Sequence, residues 1–150
     1  MNSEKRFDDF MRLGTVKRQN PDKSRAKFLL LEAEQNYRYL LELVKKMGVE
    51  NLNANDYVKK CYDILTELIR AKMLIQGLSA SGLEAHKAEI AYMKVLNFDD
   101  RDIEFLNKMR YFRNGMLYYG TILDKEYAEK VIEFTKKNYS KLKSIVNNHN

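Results

Sequence analysis

Apolar residues recur along this chain at the three-and-four spacing of an amphipathic helix, in successive blocks separated by capping residues. The first block opens at Asn20-Pro21, where Asn is a good N-cap and Pro loses nothing by lacking an N–H at the first helical position. Ala26, Leu29, Leu30, Ala33, Tyr37, Leu40, Leu41 and Val44 then share one face, and Gly48 is placed to end the helix. A second helix is predicted from Asn55 or Asp56 to about Leu78, with Val58, Cys61, Tyr62, Leu65, Leu68, Ile69 and Ile75 facing the core. Ala71 there leaves room for a close neighbour, and Gly77 marks the end. A shorter helix follows Ser79–Gly82 and ends near Leu96, pointing Ile90, Met93 and Leu96 inward. Asn97–Asp100 is a turn that opens a fourth helix, with Asp102 and Glu104 favourably placed in its first turn. Ile103, Leu106, Met109, Arg113, Met116 and Leu117 continue it at helical spacing, and Gly120 closes it. Asp124 caps a fifth helix carrying Tyr127, Val131, Phe134, Leu142 and Ile145 among lysines.

No stretch alternates with period two, so no sheet is predicted. The connections are short, which favours antiparallel neighbours. The expected fold is therefore all-α: an up-and-down helical bundle of about five helices over residues 21–147. Residues 1–20 are polar and basic and read as a flexible arm, with at most a short helix around Phe7–Leu13.

Composition sharpens this picture in three ways. With 150 residues the chain is one domain long and can bury a core without disulfides or metals. One Pro and six Gly leave few helix breakers, and a single cysteine, Cys61, excludes a disulfide framework and is read as inert core. No apolar run approaches the roughly 18 residues needed to cross a bilayer, and the polar start MNSEKRFDDF is no secretory signal. The expectation is a cytoplasmic protein with no membrane association. The net charge of +6 and pI near 9.3 favour anionic partners such as RNA, nucleotides or acidic proteins.

The densest chemistry lies at Arg110-Tyr111-Phe112-Arg113-Asn114-Gly115-Met116-Leu117-Tyr118-Tyr119-Gly120. Asn114 and Tyr118 share a helical face at i, i+4, and Arg110 lies one turn before Arg113 and Asn114. A guanidinium, an amide and a phenol can thus crowd one end of one helix. Gly115 costs about 1 kcal/mol of helix propensity against Ala, so it points to a close approach by a neighbouring helix or a ligand. The residues alone leave two readings open: a ligand-facing cluster, or tyrosines in core and rim with Arg113 paired to an acid. Asp63 and Glu67, one turn apart on the second helix, are the acids that would form such a network. His86 and His149 are the only histidines. With one cysteine and no HExxH they form no metal cluster, so no metal or cofactor is expected. His86 is read as a capping or packing residue. The last helix's lysines, Lys136, Lys137, Lys141 and Lys143, form a solvated face that can add phosphate contacts.

The order Arg113-Asn114 followed by Tyr118 and Gly120, late in a penultimate helix, resembles the signature of the HEPN family, in which Arg and a polar residue precede a His. Tyr62-Asp63, Glu67, Arg70-Ala71 and Gly77 are similar to that family's second helix, and Ser81 to His86 to the start of its third. The resemblance spans about Arg25 to Val146. It implies a dimeric helical bundle that acts as a metal-independent ribonuclease or pairs with a minimal nucleotidyltransferase in a toxin–antitoxin module. By the same resemblance Arg113 would hold a phosphate, with Asn114, Arg110, Asp63, Glu67 and Tyr119 around it, and Tyr118 would stand at the proton-transfer position. A free phenol has pKa about 10 against about 6.5 for imidazole, so cleavage is expected to be weak or absent and RNA or nucleotide binding retained. In toxin members of the family a Tyr two residues beyond the His can be modified by the partner enzyme; Gly120 holds that position here. The alternative is a non-catalytic interaction module, such as the nucleotidyltransferase's partner, to which the Tyr and Met content is suited.

Overall fold

The computed structural model describes residues 5–148. Six α-helices make up the bundle: α1 (Phe7–Arg12), α2 (Lys23–Met47), α3 (Ala54–Ile75), α4 (Ala85–Val95), α5 (Asp100–Tyr119) and α6 (Lys125–Asn147). A 3-10 turn, Asn51–Asn53, precedes α3.

The helix starts follow from local chemistry. Asp22, Asp99 and Asp124 each accept a backbone N–H three residues on, from Arg25, Asp102 and Tyr127. At α2 this displaces the expected cap from Asn20 to Asp22. The Asp22 carboxylate takes the Arg25 N–H, while its own N–H is bonded back to the Leu74 carbonyl at 3.0 Å.

α3 is the axis of the molecule. It is buried around most of its circumference, with Val58, Cys61, Ile64, Leu65, Leu68 and Ile69 inaccessible to solvent, as befits a helix enclosed by others. α2 runs antiparallel to it: the Tyr57 hydroxyl donates to the Leu43 and Gly48 carbonyls at one end, and Asp22 meets Leu74 at the other. α5 is also antiparallel to α3, with Asn55 bonded to the Thr121 carbonyl and Asp63 beside Arg113. α6 runs parallel to α3, since Asn51 accepts from Lys125 at its start and Lys72 donates to Asn148 at its end. Tyr37 of α2 stacks on Tyr139 of α6 with centroids 3.7 Å apart.

Two expectations are corrected. Residues 7–18, read as part of a polar arm, are folded against the bundle: α1 buries Phe7 and Phe10, and Phe7 packs on Tyr92 of α4. Residues 1–4 of that arm lie outside the described residues. The prediction of no sheet fails as well. β1 (Val16–Arg18) pairs antiparallel with β2 (Leu78–Ala80) in the register Val16 to Ala80 and Arg18 to Leu78. Three-residue strands are too short to show a period of two, and their partners lie far apart in sequence. Gly77 makes the junction feasible. It has φ of +73°, and a Cβ there would sit 2.6 Å from the Gln19 carbonyl oxygen, an approach that only glycine permits.

Among the described residues, no helix is long and apolar enough to cross a membrane.

Candidate functional site

α3 and α5, running antiparallel, bring Arg113 onto Tyr62-Asp63. An Arg113 terminal nitrogen lies 3.3 Å from the Asp63 carboxylate, and its guanidinium carbon sits 5.4 Å from the centre of the Tyr62 ring, within cation–π range. The Arg113 side chain keeps 25% of its surface open to solvent. Arg110 joins it one turn earlier, close enough for its charge to act on the Tyr62 hydroxyl. Burial is the main influence on that phenol and pushes its pKa up; the Glu89 charge adds to the rise, and the two arginines pull against it.

The Arg110 Nε, the Arg113 Nε and the Tyr62 hydroxyl are buried and have no hydrogen-bond partner among the described residues.

The other predicted residues divide. Asp63 reaches Arg113, as expected of an acid–arginine network. Glu67 does not: it turns to α2, where it lies against Glu32, and burial together with that carboxylate pushes its pKa up to about 8. Asn114 is half-buried beside Arg113 in sequence and takes part in no side-chain hydrogen bond among the described residues. Tyr118 and Tyr119 project from the last turn of α5, 74% and 86% exposed. Tyr118 lies five positions beyond Arg113, which on an α-helix is about 140° of rotation. Arg113 therefore faces α3 while Tyr118 faces outward, and one chain does not bring them together. Leu117, expected at core spacing, is exposed as well.

Gly115 serves the chain itself rather than a neighbouring helix. After Gly120 closes α5 in the left-handed region, the chain doubles back, and the N–H groups of Gly120 and Thr121 both donate to the Gly115 carbonyl. A Cβ on Gly115 would meet the Thr121 hydroxyl at 2.5 Å.

A group whose joining the residue spacing does not announce lies at the edge of the Tyr62 ring. Glu89 of α4, only 3% exposed, accepts both Arg70 Nε and a terminal nitrogen, at 2.7 and 3.1 Å. The same carboxylate lies 3.3 Å from His86 Nδ1. Burial alone would raise the Glu89 carboxyl, but hydrogen bonds from His86 and Arg70 outweigh it and hold the group below its ordinary value. The His86 ring stands edge-on to Tyr62 with centroids 6.3 Å apart. His86, Glu89 and Arg70 line a cleft of about 450 Å³ that also takes in Gln19, Asp22 and Arg25. The spacing of His86 and Glu89, one helical turn apart, was the available signal; the Arg70 contact needed the fold. His149 lies outside the described residues.

No trio of His, Cys, Asp or Glu among the described residues is arranged to hold a metal ion. Cys61 is buried, and desolvation raises its thiol to about 12, which keeps it protonated and inert. No family model matches the chain, and no curated protein matches it.

Proposed function

We propose that this chain is a HEPN-like domain that binds RNA or nucleotide phosphates through Arg113, with Arg110 and Tyr62 beside it, in a cytoplasmic setting. The observation that carries the reading is the Arg113 guanidinium, partly open to solvent over the Tyr62 ring, with Arg110 one turn earlier on the same helix. Asp63 is paired with Arg113, and Arg110 leaves the two arginines and one acid a positive balance. A phosphate oxygen is the acceptor such a planar fork suits. Any ribonuclease action that depended on Tyr118 would be weak or absent, since that phenol stands in solvent on another side of α5.

The test is fluorescence anisotropy of a labelled single-stranded RNA against increasing salt. Wild type should bind with a steep salt dependence, each phosphate contact contributing about 0.7 to the logarithmic slope. Arg113→Ala should bind more weakly and with a shallower slope. Equal binding by the variant would sink the assignment.

A second reading, a protein-docking module, is favoured by the exposed group Leu117, Tyr118, Tyr119 and Ile122 at the end of α5. Aromatic and apolar side chains of this kind are enriched at interfaces. A second copy of the chain, or a nucleotidyltransferase partner, would cover them. Under this reading light scattering should report a dimer or a mixed complex that Tyr119→Glu dissociates. A monomer in both proteins, with no complex formed, counts against it.

A further inference from the structure

We propose that the ledge formed by β1 and the first turns of α2 is a second docking surface for single-stranded RNA, with Lys17, Arg18, Lys23, Arg25 and Lys27 on its phosphates and Phe28 stacked on a base. This rests on the reading that the chain binds RNA, and it stands on residues other than Arg113. Residues 17–27 hold five basic side chains against one acid, Asp22, a net +4 in a chain whose whole charge is +6. All five are exposed. Asp22 is occupied as the cap of α2, where it accepts the Arg25 N–H at 3.0 Å. Among the described residues none of the five is in an ion pair, whereas cations elsewhere are, as Lys94 is with Asp100 and Lys143 with Glu34.

The charge is held in place by the backbone. Lys17 and Arg18 are paired with Ser79 and Leu78 across the β1–β2 ribbon. The Gln19 N–H donates to the Gly77 carbonyl at 2.8 Å, and the Asp22 N–H to the Leu74 carbonyl at 3.0 Å. A fixed backbone lowers the ordering cost of binding. The placement works against the fold itself. α2 has no acid in its first turn, and Lys23 and Arg25 stand at the positive end of its dipole, where a cation is unfavourable. Stability alone would put acids there, as Asp100 and Asp102 are at α5.

The neighbours of these cations select RNA among anionic partners. Phe28 follows Lys27 directly on α2 and is 61% exposed. An aromatic face among cations suits an unpaired base joined to its phosphates. Beside the ledge lies the cleft of about 450 Å³, lined by Gln19, Arg25 and Ser79, the last being the cross-strand partner of Lys17. A flexible strand can follow this strand-to-helix corner and dip into the cleft. A bilayer surface cannot, and helices that lie on membranes carry a broader apolar face than Phe28 and Leu31 offer here.

The experiment titrates a labelled oligouridylate with the full chain by fluorescence anisotropy at several salt concentrations. Lys23→Gln, Arg25→Gln and Lys27→Gln combined should weaken binding at least about 10-fold and lower the logarithmic salt slope by about 2, at about 0.7 per phosphate contact. The same charge removed from the last turn of α2 and from α6, by Lys45→Gln, Lys46→Gln and Lys130→Gln, should leave the slope of wild type. Phe28→Ala should weaken binding at least about 5-fold with the slope kept, and Phe28→Trp should restore it. Circular dichroism should show every variant folded, since each change is at an exposed position. Equal losses in the two triple variants, or an unchanged slope in the first, overturn the ledge; the Arg113 site then stands if Arg113→Ala still weakens binding. Loss in the ledge triple with full binding by Arg113→Ala keeps the ledge and removes the Arg113 site. Wild type that binds no RNA removes both. Poly-glutamate, or vesicles of phosphatidylcholine and phosphatidylserine in equal parts, held more tightly than RNA overturn RNA as the partner.

Discussion

Glu67 offers a direct test of the α2–α3 interface, because its chemistry opposes the fold at one end of the pH scale. One oxygen of its carboxyl is buried without a hydrogen-bond donor, and Glu32 lies against it from α2. Asp63 adds repulsion from its own helix and Arg70 relieves some of it. The fold thus holds Glu67 near 8 instead of its ordinary 4.5. A raised acid favours folding in its protonated state. The stability it permits is complete below about pH 4.5 and is lost as pH rises through about 8. Unscreened, the rise from 4.5 to about 8 corresponds to about 5 kcal/mol. Glu67 is half-buried, and solvent screening reduces it to about 2 kcal/mol. Glu67→Gln removes the titration and supplies an amide donor to Glu32. Urea unfolding of both proteins at pH 5 and pH 9 should show near-equal stability in acid and an advantage of about 2 kcal/mol for the variant in base. Glu32→Gln should recover part of the same gain. A difference between wild type and Glu67→Gln that stays flat from pH 5 to 9 would refute the argument.

Three further outcomes follow from the packing. Gly77→Ala should cost about 2–3 kcal/mol in chemical unfolding, because it combines a left-handed backbone with a clash on a carbonyl. Gly115→Ala should destabilise the wild-type background, and less so a Thr121→Ala background, where the hydroxyl is gone and only the Cβ of residue 121, at 3.1 Å, opposes the gain in helix propensity. Phe10→Ala should lower stability by about 3 kcal/mol; a loss under 0.5 kcal/mol would mean that α1 contributes little to the core.

The helical frame was readable because each long helix carries its own instructions. The Asn97–Asp100 turn that opens α5, the Asp124 cap, the closing Gly48 and Gly120, and the apolar face of α3 are all local features, and each is found where the spacing puts it. The cap of α2 was misplaced by two residues because the deciding bond, from the Asp22 N–H to Leu74, joins positions far apart in sequence. The N-terminal segment was misread for the same reason: Phe7 and Phe10 sit among charges, and their burial depends on a surface that α4 supplies. At the site, Asp63 was paired correctly with Arg113. Glu67 shares nearly the same helical face, but a small rotation turns it to α2 instead. Tyr118 was assigned by its place in a motif, and the helical rotation that separates it from Arg113 outweighs that order. The Arg70–Glu89–His86 group spans two helices and has no local spacing signature for its arginine.

The short β1–β2 clasp also sets an order of events during synthesis. Val16 finds its partner only when Ala80 has been made, some 64 residues later by the register. At about 5–20 residues per second, that leaves about 3–13 s in which the nascent segment has no strand to pair with. Phe7 and Phe10 wait longer still, since their cover comes from α4. This segment is thus made well before its cover and is among the last parts of the fold to be closed. During that interval its two phenylalanines are available to a chaperone or to another nascent chain. Shortening the interval, by a permutation that places residues 5–20 after α6, would change the route to this fold while preserving its contacts.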